Sequence, residues 1–350
     1  MSHPSDDLPV VHGAVSDLGA TRPRFRRSLA VAGLWTAACA GILLLSSCAR
    51  YPVMEDDTVK RTAMPVFMLE RKVPTELFLL EARERVYDRH APATVYIEGD
   101  GVPYIDEKHV SDDPTPADPV ALRLAAQDGD SNVIWLARPC QYFKEWRGYS
   151  AGDKTGGQAN DKAGKKACPK AYWTDRKFAP EVIESYNMAL DNIKAYYGIP
   201  VFNLVGYDGG AVIAMALAAQ RQDIKSLRTV AGNLAPDVTA QIHNYQFNGQ
   251  NSVNPRDYAD RLETMPQRHF IGRLDRVTPP VVYNSYAQNV QDGKCLNATL
   301  VDNADHQLGW VEQWKTLKTL PTDCQAPAVP VKFDPTPLDG DKYKPAKKHK

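Results

Sequence analysis

One stretch of the chain, residues 201–220, constrains the fold more than any other. It reads VFNLVGYDGGAVIAMALAAQ, an apolar run, a glycine-rich turn and a second, longer apolar run. The first run has the length of a buried strand and the second the length of a helix. A sharp strand-to-helix turn strains the backbone of its central residue and presents that side chain above the sheet edge. The central residue is Asp208, so the sequence predicts a carboxylate at this position.

Strand and helix patterns alternate along the rest of the chain. The short apolar run at 132–138, NVIWLAR, is typical of a buried parallel strand. Such alternation predicts a mostly parallel sheet with helices on both faces. Further strands are expected at 75–86, 93–98, 226–232, 268–275 and 295–302, and helices at 117–127, 179–198, 211–219, 279–290 and 309–318.

The N-terminal segment has the pattern of an export signal. Several arginines precede an apolar run at 29–45, and Leu45-Ser46-Ser47-Cys48 then resembles the bacterial lipobox. The resemblance implies cleavage before Cys48, diacylation of its thiol, and a lipid-anchored protein of the cell envelope, on the periplasmic or outer side. We therefore predict a signal peptide at 1–47 and a tether at 48–65. The alternative is an uncleaved membrane helix on a membrane-anchored interaction protein.

Composition bounds the partners and the size of the domain. The chain has 350 residues, with 42 Lys and Arg against 42 Asp and Glu. This balance of charge gives no reason to expect binding to nucleic acid. We therefore expect a small-molecule substrate and contact with the membrane through the lipid anchor. The length allows one large domain, placed at 66–324, with a lid-like insertion at 139–175. A Pro- and Lys-rich tail at 325–350 is expected to be disordered. The oligomeric state stays open.

Cysteine usage indicates disulfides rather than a metal site. Of 6 cysteines, one lies in the signal and one is the proposed anchor, which leaves an even number in an exported chain. None of the others has C-x-x-C spacing, so we expect no zinc, and nothing in the sequence implies an organic cofactor. Four cysteines allow three connectivities, of which we favour the sequence-local pairs Cys140–Cys168 and Cys295–Cys324.

Three further segments complete a pattern around Asp208. IGRLDRVTPP (271–280) has Asp275 just past an apolar strand, and VDNADHQLGW (301–310) has His306 between the last strand and the last helix. TVYIEGDG (94–101) ends an early strand with Asp100 in a glycine-flanked loop. We expect these loops to meet at the carboxyl edge of one sheet.

In this order the segments resemble the α/β-hydrolase superfamily, and more closely its bacterial lipoprotein members. In those members a Gly-Tyr-Ser-Gly-Gly elbow and an Arg-Pro-Cys-Gln-Tyr segment are expected, the latter here at Arg138–Tyr142. The resemblance covers roughly residues 75–320 and implies an α/β-hydrolase fold. It also implies that Asp208, Asp275 and His306 are the catalytic residues, with the N–H groups of Asp100 and Gly209 as oxyanion donors. This fold hosts many chemistries, so the substrate is not named by it.

Asp208 departs from the serine of this pattern and leaves three alternatives open. In the first, as in haloalkane dehalogenases and epoxide hydrolases, the carboxylate attacks an sp³ carbon, and His306 activates the water that hydrolyses the ester. In the second, Asp208 acts only as a base toward water. In the third, the chain is an inactive hydrolase scaffold that serves as an envelope binding protein. Gly209 stands where the first group commonly has Trp, and Glu98 stands where it usually has His. We predict hydrolysis of a small ester, epoxide or similar substrate.

Overall fold

The structure, a computed structural model, describes residues 55–106, 108–142 and 168–334. The predicted signal segment, Cys48 and most of the insertion at 139–175 lie outside these ranges. The described residues belong to one structural unit, 53–350. Within the described ranges, we find no helix with both the length and the hydrophobicity of a membrane span.

An eight-stranded sheet forms the centre of this unit. Its spatial order places the first two strands at one edge and the fourth strand before the third. The second strand runs antiparallel to both of its neighbours, and every later pair of neighbouring strands is parallel. The strands are β1 (Leu69–Pro74), β2 (Leu79–Val86), β3 (Ala93–Ile97), β4 (Asn132–Leu136), β5 (Phe202–Tyr207), β6 (Ile224–Val230), β7 (Gln267–Gly272) and β8 (Leu296–Val301), in the order β1-β2-β4-β3-β5-β6-β7-β8.

Helices cover both faces of the sheet. They are α1 (Glu55–Ala63), α2 (Val120–Gln127), α3 (Pro180–Tyr197), α4 (Gly209–Gln220), α5 (Pro236–Ile242), α6 (Pro280–Ala287) and α7 (Trp314–Leu317). Buried residues of α3, α4 and α6 form the core on one face, and those of α1, α2 and α7 form the core on the other. Short 3₁₀ helices lie at Met64–Val66, Lys170–Trp173, Pro255–Tyr258 and Gly293–Cys295.

The strands and the helix that are apolar along most of their length are buried, as their composition predicts. Every residue of β3 and β4 is buried, because both strands lie in the middle of the sheet with helices on both sides. The residues of α4 from Gly209 to Ala218 are buried all round, which explains why this helix has no polar face. The predicted α/β-hydrolase fold, with its mostly parallel sheet, is confirmed.

The ordered unit extends beyond both predicted boundaries. Residues 55–63, assigned from the sequence to the tether, form α1, because Val59 and Ala63 lie on one side of it and are fully buried against the sheet face. At the other end, the side-chain amide of Asn284 hydrogen-bonds both backbone groups of Phe333, at 2.6 and 2.9 Å. This amide secures the start of the segment expected to be disordered. The edge strand β1 and helix α5 were also not predicted.

Within the described residues there are two disulfides, and they join the sequence-local pairs favoured above. Cys140 bonds to Cys168 and Cys295 bonds to Cys324. The first closes the insertion between β4 and α3. The second links the start of β8 to the segment that follows α7.

Candidate active site

The turn between β5 and α4 holds Asp208 in a backbone conformation that is costly for a residue with a side chain. Its φ is 47° and its ψ is −120°. Three backbone hydrogen bonds fix this conformation. The Asp208 N–H donates to the Val230 carbonyl at 3.1 Å, and the Asp208 carbonyl accepts from the N–H groups of Ala211 at 3.1 Å and Asn233 at 3.0 Å.

Two glycines of the turn are required by close approach of backbone. A Cβ at Gly206 would lie 2.5 Å from the Cα of Ala211, and a Cβ at Gly210 would lie 2.3 Å from the carbonyl oxygen of Ile97. Both distances are shorter than a real Cβ contact, so a side chain at either position would push α4 away from β3 and β5. The turn therefore has the strand-to-helix geometry that the sequence predicts.

The three predicted catalytic side chains meet at the carboxyl edge of the sheet. Asp275 lies in the loop after β7 and His306 in the loop after β8, and they approach Asp208 at the end of β5. The His306 ring lies between the two carboxylates, with Nδ1 3.0 Å from Asp275 Oδ2 and Nε2 3.6 Å from Asp208 Oδ1. This arrangement can hold one imidazole in a fixed orientation toward Asp208.

Asp275 is oriented by its own loop. Its Oδ1 accepts from the N–H groups of Val277 at 2.8 Å and Thr278 at 2.9 Å, and the Thr278 hydroxyl lies 2.8 Å from Oδ2. Burial raises the pKa of this carboxyl, but the charge of His306 and these hydrogen bonds outweigh burial, so the pKa lies below its ordinary value. Asp275 is therefore an anion beside the imidazole.

One of the two predicted oxyanion donors contacts Asp208. The N–H of Asp100, in the loop after β3, donates to Asp208 Oδ2 at 3.0 Å. In the described structure, the N–H of Gly209 donates to neither oxygen of that carboxylate. The two Asp208 oxygens thus face different groups, since Oδ2 accepts from Asp100 and Oδ1 faces His306.

The side chain of Asp100 belongs to an ion cluster that sequence reasoning missed. Its Oδ1 accepts from Arg138 Nη1 at 2.6 Å, and its Oδ2 accepts from Lys177 Nζ at 2.6 Å. Burial raises the pKa of Asp100, but the two cations outweigh burial and lower it below its ordinary value. The Arg138–Tyr142 segment gave a signal for Arg138, whereas nothing in the sequence pointed to Lys177.

Two more side chains hold the Asp100 loop in place through hydrogen bonds to the backbone of Gly99. Gln141 donates to the Gly99 carbonyl at 2.9 Å, and its amide oxygen accepts from the Arg138 N–H at 3.0 Å. Glu98 accepts from the Gly99 N–H at 3.0 Å and also from Trp135 and the first turn of α2. Burial is the main cause that raises the pKa of Glu98, to about 7.

The charges around Asp208 favour a protonated histidine in the resting site. Burial alone would lower the pKa of His306, but Asp275 and, to a smaller extent, Asp208 and Asp100 raise it to about 9. Burial and the nearby charge of Asp100 raise the pKa of Asp208, while His306 and Lys177 lower it in part. At neutral pH the site therefore favours an imidazolium that lies between the Asp275 carboxylate and Asp208.

The aromatic residues near the site make contacts with other residues of the domain. Tyr207 is buried, and its hydroxyl donates to the His306 carbonyl at 3.1 Å. In the insertion, Trp173 is buried and donates to the Ser111 carbonyl at 3.2 Å, while Tyr172 packs edge-on against Phe78. Two further aromatic residues of the insertion, Trp146 and Tyr149, lie outside the described residues.

A separate cavity of about 430 Å³ lies away from these side chains. It opens between the β1–β2 turn and the first half of α3, and it includes Leu77, Ile183 and Met188. None of the residues that hydrogen-bond or pair with Asp208 lines it, so this cavity is not part of the Asp208 site. In the described ranges, no group of three or more His, Cys, Asp and Glu side chains is arranged to hold a metal ion.

Comparison with known proteins gives relatives by fold. No protein-family model matches the chain, and no curated protein matches it. Among solved structures it is similar to Est1E from Butyrivibrio proteoclasticus, with 12% identity, a TM-score of 0.46, and coverage of 71% of this chain and 96% of that one. It is also similar to the Pyrococcus furiosus esterase Pf2001, with 14% identity, a TM-score of 0.47, and coverage of 73% and 91%.

A third similar structure is the naproxen esterase of Bacillus subtilis, with 11% identity, a TM-score of 0.44, and coverage of 77% of this chain and 96% of that one. At these identities and TM-scores the similarities carry no argument about the reaction or the substrate of this chain. The α/β-hydrolase fold of this chain is assigned on its own strand order and on the strand-to-helix turn that carries Asp208.

Proposed function

We propose that the chain is a hydrolase in which Asp208 attacks an sp³ carbon and forms an ester that an activated water then hydrolyses. One observation carries this proposal. The two oxygens of Asp208 face the two groups that the two steps need, with Oδ2 on the Asp100 N–H at 3.0 Å and Oδ1 3.6 Å from His306 Nε2.

The first step uses the carboxylate without a base. The ionised form of Asp208 is the nucleophile, and the protonated His306 and the hydrogen bond from Asp100 both stabilise that form. Attack by Oδ1 forms a C–O bond, and the bond from that carbon to its leaving group breaks with both electrons going to the leaving group. Oδ2 then becomes the carbonyl oxygen of the ester and keeps its hydrogen bond.

The second step follows from the loss of charge. The negative charge of Asp208 is one of the causes that raise the pKa of His306 to about 9. Ester formation removes that charge, so the imidazole loses its proton more readily and becomes a base for water. His306 takes the proton of this water, and attack of the water on Cγ places negative charge on Oδ2, where the Asp100 N–H stabilises it. The Cγ–Oδ1 bond then breaks, and the alcohol leaves with Oδ1 and the proton from His306, so the water oxygen stays in the Asp208 carboxylate.

The same hydrogen bond argues against direct attack of water on a substrate carbonyl. An ester bound for such attack needs the Asp100 N–H for its own oxygen, and Asp208 Oδ2 already occupies that donor. A substrate would have to displace a buried carboxylate from a charge-assisted hydrogen bond, which is unfavourable. Asp208 as nucleophile needs no such displacement.

The alternative of an inactive binding protein has its own support. A carboxylate paired with both an imidazolium and an N–H is a stable end state, and it fills the position where a serine hydroxyl would react. The two functions differ in one respect that can be measured. Only the nucleophile transfers an oxygen from water into its own side chain.

A single turnover in oxygen-18 water tests the proposal. Alkyl halides, epoxides and esters would be incubated with excess enzyme, and the mass of the peptide that contains Asp208 would then be measured by mass spectrometry. We expect one oxygen-18 atom in Asp208 after turnover of an sp³ electrophile, and accumulation of the alkylated peptide in His306→Gln. Turnover without label would identify Asp208 as a base, and the absence of turnover together with esterase activity in Asp208→Ser would support the inactive scaffold.

We further propose that the protein is exported and held in the cell envelope by a lipid on Cys48. This proposal comes from the basic flank, the apolar run and the Leu-Ser-Ser-Cys motif of the sequence. The two disulfides within the described domain support an oxidising location.

A further inference from the structure

Lys177 is a cation that the proposed mechanism does not use. It lies between the insertion and α3, and its Nζ donates to Asp100 Oδ2 at 2.6 Å. The ring centroids of Phe178 and Tyr245 lie 5.1 and 5.9 Å from the same nitrogen. An ammonium has three N–H donors. In the described part of the chain, Asp100 is its one hydrogen-bond acceptor.

Two cations bind the Asp100 carboxylate, although one would be enough to neutralise its charge. Arg138 binds its other oxygen at 2.6 Å from the buried side and has 5% of its side chain exposed. Lys177 approaches from the open side and has 18% exposed. Arg138 alone can neutralise Asp100. Burial lowers the pKa of Lys177, but the paired Asp100 carboxylate raises it, and the negative charge of Asp208 is a further, smaller cause in the same direction.

Ester formation at Asp208 therefore removes part of the negative charge that offsets Lys177. Asp208 and His306 have 13% and 15% of their side chains exposed, so they and Lys177 retain access to solvent where Asp208 would react. A partly desolvated ammonium with hydrogen-bond donors to spare is a binding site for an anion. The anion that appears at that moment is the leaving group.

We propose that Lys177 binds the leaving group as it departs from the carbon attacked by Asp208. This inference rests on the proposed function and narrows its substrate class to alkyl compounds that release a weakly basic anion, such as a halide. In the step, Asp208 Oδ1 supplies the electron pair of the new C–O bond, and the leaving group takes the pair of the broken bond. Lys177 transfers no proton, because the neighbouring carboxylates keep its pKa well above the ordinary value.

This assignment disfavours an epoxide as the substrate. Opening of an epoxide produces an alkoxide that stays attached to the carbon skeleton and must gain a proton. A lysine held as a permanent cation stabilises an anion but is a poor proton donor. A leaving anion that needs no proton fits Lys177 better.

Binding of bromide tests the site without any turnover. Asp208→Asn would remove the same charge that the ester removes, so we expect this variant to bind bromide about tenfold or more tightly than the double variant with Lys177→Met. Bromide NMR line width and calorimetry would measure the affinity. Lys194→Met in the Asp208→Asn background is the matched control, because Lys194 also donates to an aspartate at 2.6 Å but lies far along α3.

A second measurement covers the case in which the double variant does not fold. In Asp208→Asn with carbon-13-labelled lysine, added bromide should shift the Cε signal of Lys177 and leave that of Lys194 in place. Equal bromide affinity with and without Lys177, or no shift of its signal, would overturn the inference. The oxygen-18 label in Asp208 is measured in a separate experiment. Failure of bromide to bind at Lys177 would therefore leave the nucleophile proposal intact, and absence of the label would leave the bromide result intact.

Kinetics separate leaving-group binding from positioning of Asp100. If Lys177 contacts the leaving anion, Lys177→Met should lose more activity on alkyl chlorides than on alkyl iodides. Arg138→Gln weakens the hold on the same Asp100 carboxylate from the buried side, so it should slow all substrates by one factor. If Lys177→Met also slowed all substrates by one factor, Lys177 would only position Asp100, and its proposed role would be refuted.

Discussion

Asp208→Asn should lower the pKa of His306 from its present value of about 9. Asparagine preserves the size of the side chain and removes the charge that faces Nε2 at 3.6 Å. The other partner, Asp275, remains at 3.0 Å from Nδ1 and keeps the ring oriented. The substitution thus imitates the charge of the proposed ester without requiring a substrate.

The size of the change follows from Coulomb's law. Two unit charges about 4 Å apart interact by about 1 kcal/mol in water and by about 4 kcal/mol at the effective dielectric of a protein surface. The two side chains are 13% and 15% exposed, so the true value lies between these limits. One pH unit corresponds to about 1.4 kcal/mol, so the titration midpoint of His306 should fall by roughly 1 to 3 pH units.

Histidine ring signals in nitrogen-15 NMR spectra would measure this midpoint. The chain has 8 histidines, and the signal of His306 is the one that disappears in His306→Gln. Asp302→Asn is the control, since Asp302 pairs with Arg273 on the surface and should leave the midpoint unchanged. A midpoint that stays near its original value or rises in Asp208→Asn would show that the imidazole does not face Asp208, and the activated-water step would be refuted.

Three further predictions concern stability and processing. The pKa of His306 is about 9 in the folded protein against 6.5 ordinarily, so its stabilising effect is complete below pH 6.5 and is lost as the pH rises toward 9; denaturation should show up to about 3 kcal/mol of this pH dependence, and His306→Gln should lack it. If both proteins lose stability equally over that range, the raised pKa is wrong. Gly210→Ala should destabilise by about 1 to 3 kcal/mol in thermal melts, because its Cβ would meet the Ile97 carbonyl at 2.3 Å, whereas Gly129→Ala, with nothing within 4 Å, should change little. Equal melting temperatures would mean that α4 can shift. Cys48→Ser should abolish lipidation and sensitivity to globomycin, as read from the mass of the mature N-terminus; an unchanged mass would favour the uncleaved membrane helix.

The sequence was sufficient for most of the strands and helices and for three residues at the carboxyl edge of the sheet. Asp208 directly follows β5, and Asp275 and His306 lie in the loops after β7 and β8, so their positions depend on local pattern and on the rule that parallel strands end at one edge. The boundaries were less predictable. Helix α1 has a polar composition overall, and among residues 57–63, whose burial is described, the two buried ones are Val59 and Ala63.

The sequence by itself determined a strand-to-helix turn with Asp208 at its centre, because glycines and apolar runs act on their immediate neighbours. The tertiary structure decided what that carboxylate faces. The hydrogen bond from Asp100, the approach of His306, and the two cations on Asp100 join residues 38 to 108 positions apart in the chain. Such contacts depend on packing between distant segments, and the charge state of each group depends on those contacts, so neither can be read from local pattern.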